Sequence, residues 1–200
     1  MPDLTMEAAA GGIVAGVDEA GRGPWAGPVV AGVAILDPAT MPGDLIDGLD
    51  DSKKLSAAVR ERLFVGLLRH ATIAFGIASV AEIDELNILG ATMLAMRRAV
   101  GALAAPPHIA LVDGNRAPDL ICPVRTVVMG DSLSSSIAAA SIVAKVTRDR
   151  IMAGLAADFP GYGWETNQGY GTAAHRDGLD RLGVTIHHRR SFKPIASRIK

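Results

Sequence analysis

One cysteine, Cys122, is all that the 200 residues contain. An internal disulfide is therefore excluded, and a reducing compartment, the cytoplasm, is expected. Long hydrophobic runs are also missing. No apolar stretch approaches the roughly 20 residues that a membrane span requires. The first dozen residues have no basic start followed by an apolar run, so no signal peptide is expected. Aromatic residues make up only 4% of the chain. Packing must then rely on small side chains and close backbone approach. Excess charge of either sign is lacking too: the formal net charge is -1, which alone argues against a nucleic-acid partner. The distribution of charge says otherwise. Arg189, Arg190, Lys193, Arg198 and Lys200 follow Ile186 with no acid among them. A basic tail of this kind can hold phosphates while acids gather elsewhere.

What is present suits one globular domain, residues 1–200, with a small C-terminal part from about residue 160. Runs rich in Val and Ile predict strands at Gly12–Val17 and Pro28–Leu36, joined by a Gly/Pro-rich loop. Further strands are predicted at Thr72–Val80, Ile109–Asp113 and Val124–Met129. Ser56 caps a helix with Val59, Leu63, Leu67 and Leu68 on one face. Ser79 with Glu82 forms a capping box, and helix follows to about Leu103, interrupted near Asn87 and Gly90. A long helix with a face of small residues spans Ser134–Leu155. Helices interleaved with strands specify an α/β layer structure, and the first two strands suit a hairpin, so the sheet is mixed.

Acids stand at the ends of three of these strands. Asp18 and Glu19 end the first, Asp113 ends the fourth, and Asp131 follows the fifth. Open α/β sheets place ligands at strand ends. Carboxylates gathered there repel one another unless a cation neutralises them. An all-oxygen donor set without His or Cys suits Mg²⁺ or Mn²⁺, as one or two ions, and not zinc. Singly, each acid also fits a turn former or a helix cap. Together they point to metal-assisted phosphoryl transfer. Adjacent strand residues face opposite ways, so Asp18 and Glu19 share a site only if the backbone bends, which the glycines after them permit.

Other residues are suggestive. Gly21-Arg22-Gly23 can bring bare backbone against a substrate, or form an ordinary turn. Arg22 can grip a phosphate. Lys53 and Lys54 either bind phosphate or solvate a helix start. Tyr170, between glycines in a polar loop, is a packing residue or a platform for a sugar or base. His175 is an active-site base or a surface residue. Cys122 is a small buried residue.

These stretches, in order along the chain, resemble the ribonuclease HII family, the type 2 ribonucleases H. The resemblance runs through Gly16-Val-Asp-Glu-Ala-Gly-Arg-Gly-Pro24, Asp51-Ser-Lys-Lys-Leu-Ser56, Ile83-Asp-Glu-Leu-Asn-Ile88, Val112-Asp-Gly-Asn-Arg116 and Gly130-Asp-Ser132. It continues through Ser136–Arg150, Gly169-Tyr-Gly-Thr172 and His188-Arg-Arg-Ser-Phe192. It implies a ribonuclease H-like mixed five-stranded sheet flanked by helices, with a small helical C-terminal part that binds substrate. Asp18, Glu19, Asp113 and Asp131 would be the catalytic metal ligands. Gly21, Arg22 and Gly23 would read a ribose 2′-hydroxyl through the backbone, and Tyr170 would stack on the following deoxyribose. Apart from the resemblance, Lys53 and Arg189 are expected to add substrate contacts. The partners would be RNA/DNA hybrids and duplex DNA containing ribonucleotides, cut on the 5′ side of the ribonucleotide; a monomer is the default expectation. Two positions depart from the family pattern: Gln168 stands where Lys is usual, and Gly90 where Gln is usual. Arg22 favours type 2 over type 3 enzymes, which carry Gly-Lys-Gly. Two other readings stay open. One is a different repair nuclease of the ribonuclease H-like superfamily, and the other is an inert nucleic-acid binder on the same fold.

Overall fold

The structure is a computed structural model that describes residues 1–199. Five strands form one sheet: β1 (Val14–Ala20), β2 (Val29–Ile35), β3 (Thr72–Ala78), β4 (Ile109–Asp113) and β5 (Val124–Val127). Their order is β3-β2-β1-β4-β5. The pairs β1–β2 and β2–β3 are antiparallel, whereas β1–β4 and β4–β5 are parallel. The carboxyl ends of β1, β4 and β5 therefore lie at one edge. The β1–β2 connection, residues 21–28, turns at that same edge.

The eight helices among the described residues are α1 (Thr5–Ala10), α2 (Gly43–Asp47), α3 (Ala57–His70), α4 (Val80–Gly101), α5 (Ser135–Asp158), α6 (Trp164–Asn167), α7 (Ala173–Leu182) and α8 (Lys193–Ala196). Helix α4 covers one sheet face, where Ala91, Ala95, Met96, Ala99 and Val100 pack on Ala15, Val17, Ala31 and Val33. Helices α3 and α5 cover the other, joining Leu63, Phe64 and Leu67 to Ala138, Ile142 and Val143. Phe64 fills the place expected of Leu68, which is 57% exposed.

Small residues allow these layers to meet. A Cβ on Gly32 would fall 2.3 Å from the Ala140 carbonyl oxygen, and one on Gly76 would fall 2.2 Å from that of Ala95. The helix backbones thus lie directly on the sheet, as the shortage of aromatics requires. The α4 helix has its capping box at Ser79 and Glu82 and breaks at Asn87, which has φ +61°. The Asn87 carboxamide oxygen then accepts from the Leu89 and Gly90 amides. Gly90 accordingly sits in a first turn, where a glycine costs less than in mid-helix.

The C-terminal part has its own cluster. Trp164, Tyr162, Leu179 and Ile195 close over Ala26 of the β1–β2 connection and over Met152 and Ala156 of α5.

Candidate active site

The parallel pairing of β1 with β4 ends at Val17–Val112. Beyond it, Asp18 and Glu19 stand at an open edge between β2 and the end of β4. Parity puts Asp18 on the α5 face with Gly16, and Glu19 on the α4 face with Val17. Both nevertheless line one cavity with Asp113. No break in β1 is required, because the strand stays paired with β2 through Ala20–Val30. The register shows no interruption of the strand at the two acids. The Glu19 amide donates to Asp18 Oδ1 at 2.7 Å.

Asp113, the last residue of β4, accepts from the Gly130 amide at 2.7 Å. That bond folds the segment after β5 back toward β4. Met129 takes a left-handed conformation with φ +55°, and a single 3-10 turn, Gly130–Ser132, presents Asp131. A Cβ on Gly130 would fall 2.6 Å from Ile137 Cδ1, which explains glycine there. Asp131 lines a second cavity that shares Asp113 and Lys53 with the first.

The electrostatics show crowding. Burial, then Glu19 and Asp113, push the Asp18 carboxyl well above the usual carboxylate range. Burial raises Glu19 too, against the pull of Arg22, whose Nη1 donates to Glu19 Oε1 at 3.2 Å. Asp131 is raised by burial, then by Asp51 and Asp113. Lys53 Nζ stands 3.9 Å from both Asp51 Oδ1 and Asp131 Oδ2. Burial disfavours its charge, but Asp51, Asp18, Asp131 and Asp113 hold its pKa above the usual lysine value. Lys53 thus supplies one positive charge among these carboxylates. Among the described residues, no three carboxylate, His or Cys side chains converge closely enough to ligate one ion as they stand. The donor set is still all oxygen, negative and short of countercharge, which fits a hard divalent cation.

The β1–β2 connection is held from beneath. Gly21 has φ +97°, and a Cβ there would fall 2.0 Å from Arg148 Nε. Arg148, 2% exposed, donates to the carbonyls of Pro28, Gln168 and Ala26. Arg189 is fully buried and donates to the carbonyls of Gly27, Arg22, Gly21 and Pro28. These bonds draw the loop carbonyls inward onto guanidinium groups. Burial lowers Arg148 to about 10 and Arg189 to about 9, the latter with Arg148 as a second cause. Arg189 is therefore corrected: no part of it is free to reach a phosphate, and it organises the loop instead. In the basic tail, Arg190 and Lys193 are exposed, Arg198 pairs with Asp180 at 3.3 Å, and Lys200 lies outside the described residues.

Tyr170 is 51% exposed and faces the loop, since a Cβ on Gly23 would come within 3.3 Å of its ring. Arg22, Gly23, Lys53 and Tyr170 line the cavity of Asp18 and Glu19. Lys54 lines only the second cavity and pairs with Asp50 at 3.1 Å. Gln168 Nε2 donates to the Glu165 carbonyl at 3.3 Å. His175 is neither a surface residue nor a base at the acids: it is fully buried against Trp164 and His188. Cys122 is half-buried beside the α4-face core. Sequence reasoning missed Asp51, Arg148 and Lys145. All three lie in quoted motifs, Lys145 lines the cavity of Asp18 and Glu19, and an acid two residues before Lys53 was the available signal for Asp51.

The ribonuclease HII family model matches residues 15–195. The chain belongs to the ribonuclease HII family. Ribonuclease HII of Paramagnetospirillum magneticum is 62% identical over 196 residues, which covers 98% of each chain. The crystal structure of ribonuclease H2 from Pyrococcus horikoshii superposes with a TM-score of 0.76 at 30% identity, covering 92% of this chain and 95% of that one. Bst-RNase HIII, solved with Mn²⁺, shares the fold with a TM-score of 0.77 at 19% identity, covering 100% of this chain and 73% of that one. The enzyme is thus a type 2 ribonuclease H, and its mixed sheet with flanking helices is the ribonuclease H-like fold. No described helix is long and apolar enough to cross a membrane.

Proposed function

We propose that this enzyme cuts the RNA strand of RNA/DNA hybrids and also cuts duplex DNA on the 5′ side of a single embedded ribonucleotide. The products carry 3′-hydroxyl and 5′-phosphate ends. One observation carries the reading: a single cavity is lined by Asp18, Glu19, Asp113, Gly21, Arg22, Gly23 and Tyr170. Acids for phosphoryl transfer and a bare-backbone sugar contact thus share one space.

Asp18, Glu19, Asp113 and Asp131 would hold the divalent metal. When bound, Mg²⁺ or Mn²⁺, as one or two ions, supplies an activated water and offsets the charge that develops on the phosphate. The chain's own residues do the rest. With the loop carbonyls turned onto Arg148 and Arg189, the amides of Gly21–Gly23 are left to meet a 2′-oxygen at close range. Tyr170, opposite Gly23, presses the next sugar against them. Lys53, at 76% side-chain exposure, offers an ammonium to the backbone phosphate beside the acids. The single half-buried thiol supports work in the reducing cytoplasm.

The test is cleavage of a duplex with one embedded ribonucleotide, with and without Mg²⁺. The expected result is Mg²⁺-dependent scission at one bond, 5′ of the ribonucleotide. Scission scattered along the DNA, or none, would refute the reading.

A further inference from the structure

A buried polar cluster behind Tyr170 has no part in the chemistry above. His175 and His188 are both fully buried, among Trp164, Tyr162 and Trp25. Their ring nitrogens Nε2 lie 3.1 Å apart. Their tautomers follow from their neighbours. An indole N–H can only donate. Trp164 Nε1 donates to His175 Nε2 at 3.1 Å, so that nitrogen bears no proton. The proton must then sit on His175 Nδ1, which donates to the Tyr170 carbonyl at 3.0 Å. The Thr185 amide donates to His188 Nδ1 at 3.0 Å, so His188 bears its proton on Nε2 and points it at His175. Two donors aimed at His175 Nε2 thus fix one tautomer. Both rings are kept neutral: burial lowers His175, and it lowers His188 to about 4, with His175 and His187 adding to the effect.

The far end of this chain is anchored on the recognition loop. His188 pairs with Ala26 in an antiparallel bridge, and the Gly27 amide donates to the His187 carbonyl at 2.9 Å. Two other contacts join the same limbs: Trp25 N–H to the Gly169 carbonyl, and Arg148 to the carbonyls of Ala26 and Gln168. Both stop short of Tyr170. Tyr170's own backbone bonds are otherwise to neighbours, with its amide donating to the Asn167 carbonyl and its carbonyl accepting from the Thr172 amide. His175, five residues along in α7, reaches the Tyr170 carbonyl with its side chain.

We propose that His175 is a positioning residue for recognition of a single ribonucleotide: its Nδ1–H, placed there by Trp164 and His188, fixes the Tyr170 carbonyl and so the stance of the tyrosine ring against Gly23. This rests on the reading of Tyr170 as the sugar sensor. A misplacement of about 1 Å can cost on the order of 100-fold in rate, so a second anchor on this backbone has a measurable consequence.

Two measurements test it. In ¹⁵N-histidine spectra of the intact enzyme, His175 should carry its proton on Nδ1, against the preference of free imidazole. A proton on Nε2 would overturn the proposal. In the second, cleavage of a single-ribonucleotide duplex is divided by cleavage of a hybrid by the same preparation. That ratio does not depend on the fraction folded. His175→Asn puts an amide N–H where Nδ1 was and should keep most of the ratio. His175→Gln puts it where Nε2 was and should lower the ratio about tenfold or more. Equal ratios for the two variants would overturn the proposal. Tyr170→Ala in the same assay separates the cases: if it leaves the ratio unchanged, the sugar-sensing reading itself fails. If it collapses the ratio while His175→Gln does not, only the positioning role fails.

Discussion

Asp18 is held in the least favourable surroundings of the four acids, 4% exposed with Glu19 and Asp113 beside it. Its raised pKa means that folding favours the protonated form. The resulting stabilisation is fully present below the ordinary carboxylate range and is lost as pH rises through the raised value. At neutral pH without metal, burying this carboxyl beside Glu19 and Asp113 therefore weakens the fold. Asp18→Asn keeps the acceptor for the Glu19 amide and removes the charge. Its thermal midpoint in chelator should exceed that of the wild type at pH 7.5, with the gap closing as pH falls. About 1 kcal/mol shifts the midpoint of a chain this size by roughly 2–4 °C. A wild type more stable than Asp18→Asn in chelator at pH 7.5 would contradict the crowding. Tyr170 gives a second test at this scale. Tyr170→Ala should lower single-ribonucleotide cleavage by orders of magnitude and Tyr170→Phe by less, with thermal stability little changed because the ring is half-exposed. Full rate and full junction preference in Tyr170→Ala would remove its sensing role. Residue types at strand ends made the four acids legible in sequence. The depth of Arg189 and His175 was not legible, because a basic residue reads the same whether it meets phosphate or a buried carbonyl.

The elements were legible where hydrophobic runs and caps were strong. The expected Ile109–Asp113 strand coincides with β4, and the Ser79–Glu82 capping box opens α4 as expected. The first strand was placed too early, at Gly12–Val17 where Val14–Ala20 is found. Its last residues are polar because the site needs them, and periodicity cannot count them as strand. Helix α1 was not read at all. It has no buried residue and docks through Glu7, whose Oε1 accepts from Ser136 N–H at 2.8 Å and Ser134 Oγ at 2.6 Å. Helices α6 and α8 have four residues each and are shaped by tertiary contacts. The β1–β2 connection depends on Arg189 as well as on its own glycines. Arg189→Lys offers one ammonium in place of a planar group that meets four carbonyls. Each buried polar group left unpaired costs about 1–3 kcal/mol. The variant should lose at least about 2 kcal/mol of stability in urea unfolding and should bind substrate less tightly. The salt dependence of binding should stay as in the wild type, since no phosphate contact is removed. A salt slope reduced by about one would show that Arg189 touches phosphate after all.

Across the whole molecule, the sheet topology brings the pieces together. Parallel β1, β4 and β5 deliver acids to one edge, the β1–β2 connection brings Gly21–Gly23 there, and the C-terminal cluster on α5 brings Tyr170 to face it. Net charge misleads at this scale because the acids are gathered at the site and the bases around it. The central claim is that the edge acids perform metal-assisted phosphodiester hydrolysis. Asp113→Asn tests it most directly, because Asp113 lies in both cavities and its Oδ1 bond to Gly130 survives the change. The measurement is single-turnover cleavage of a duplex with one ribonucleotide in Mg²⁺, alongside binding of the same duplex. The account predicts intact folding and retained binding, with cleavage reduced by about a thousandfold or more, a loss of roughly 4 kcal/mol of transition-state stabilisation. Near-normal cleavage by Asp113→Asn would contradict it.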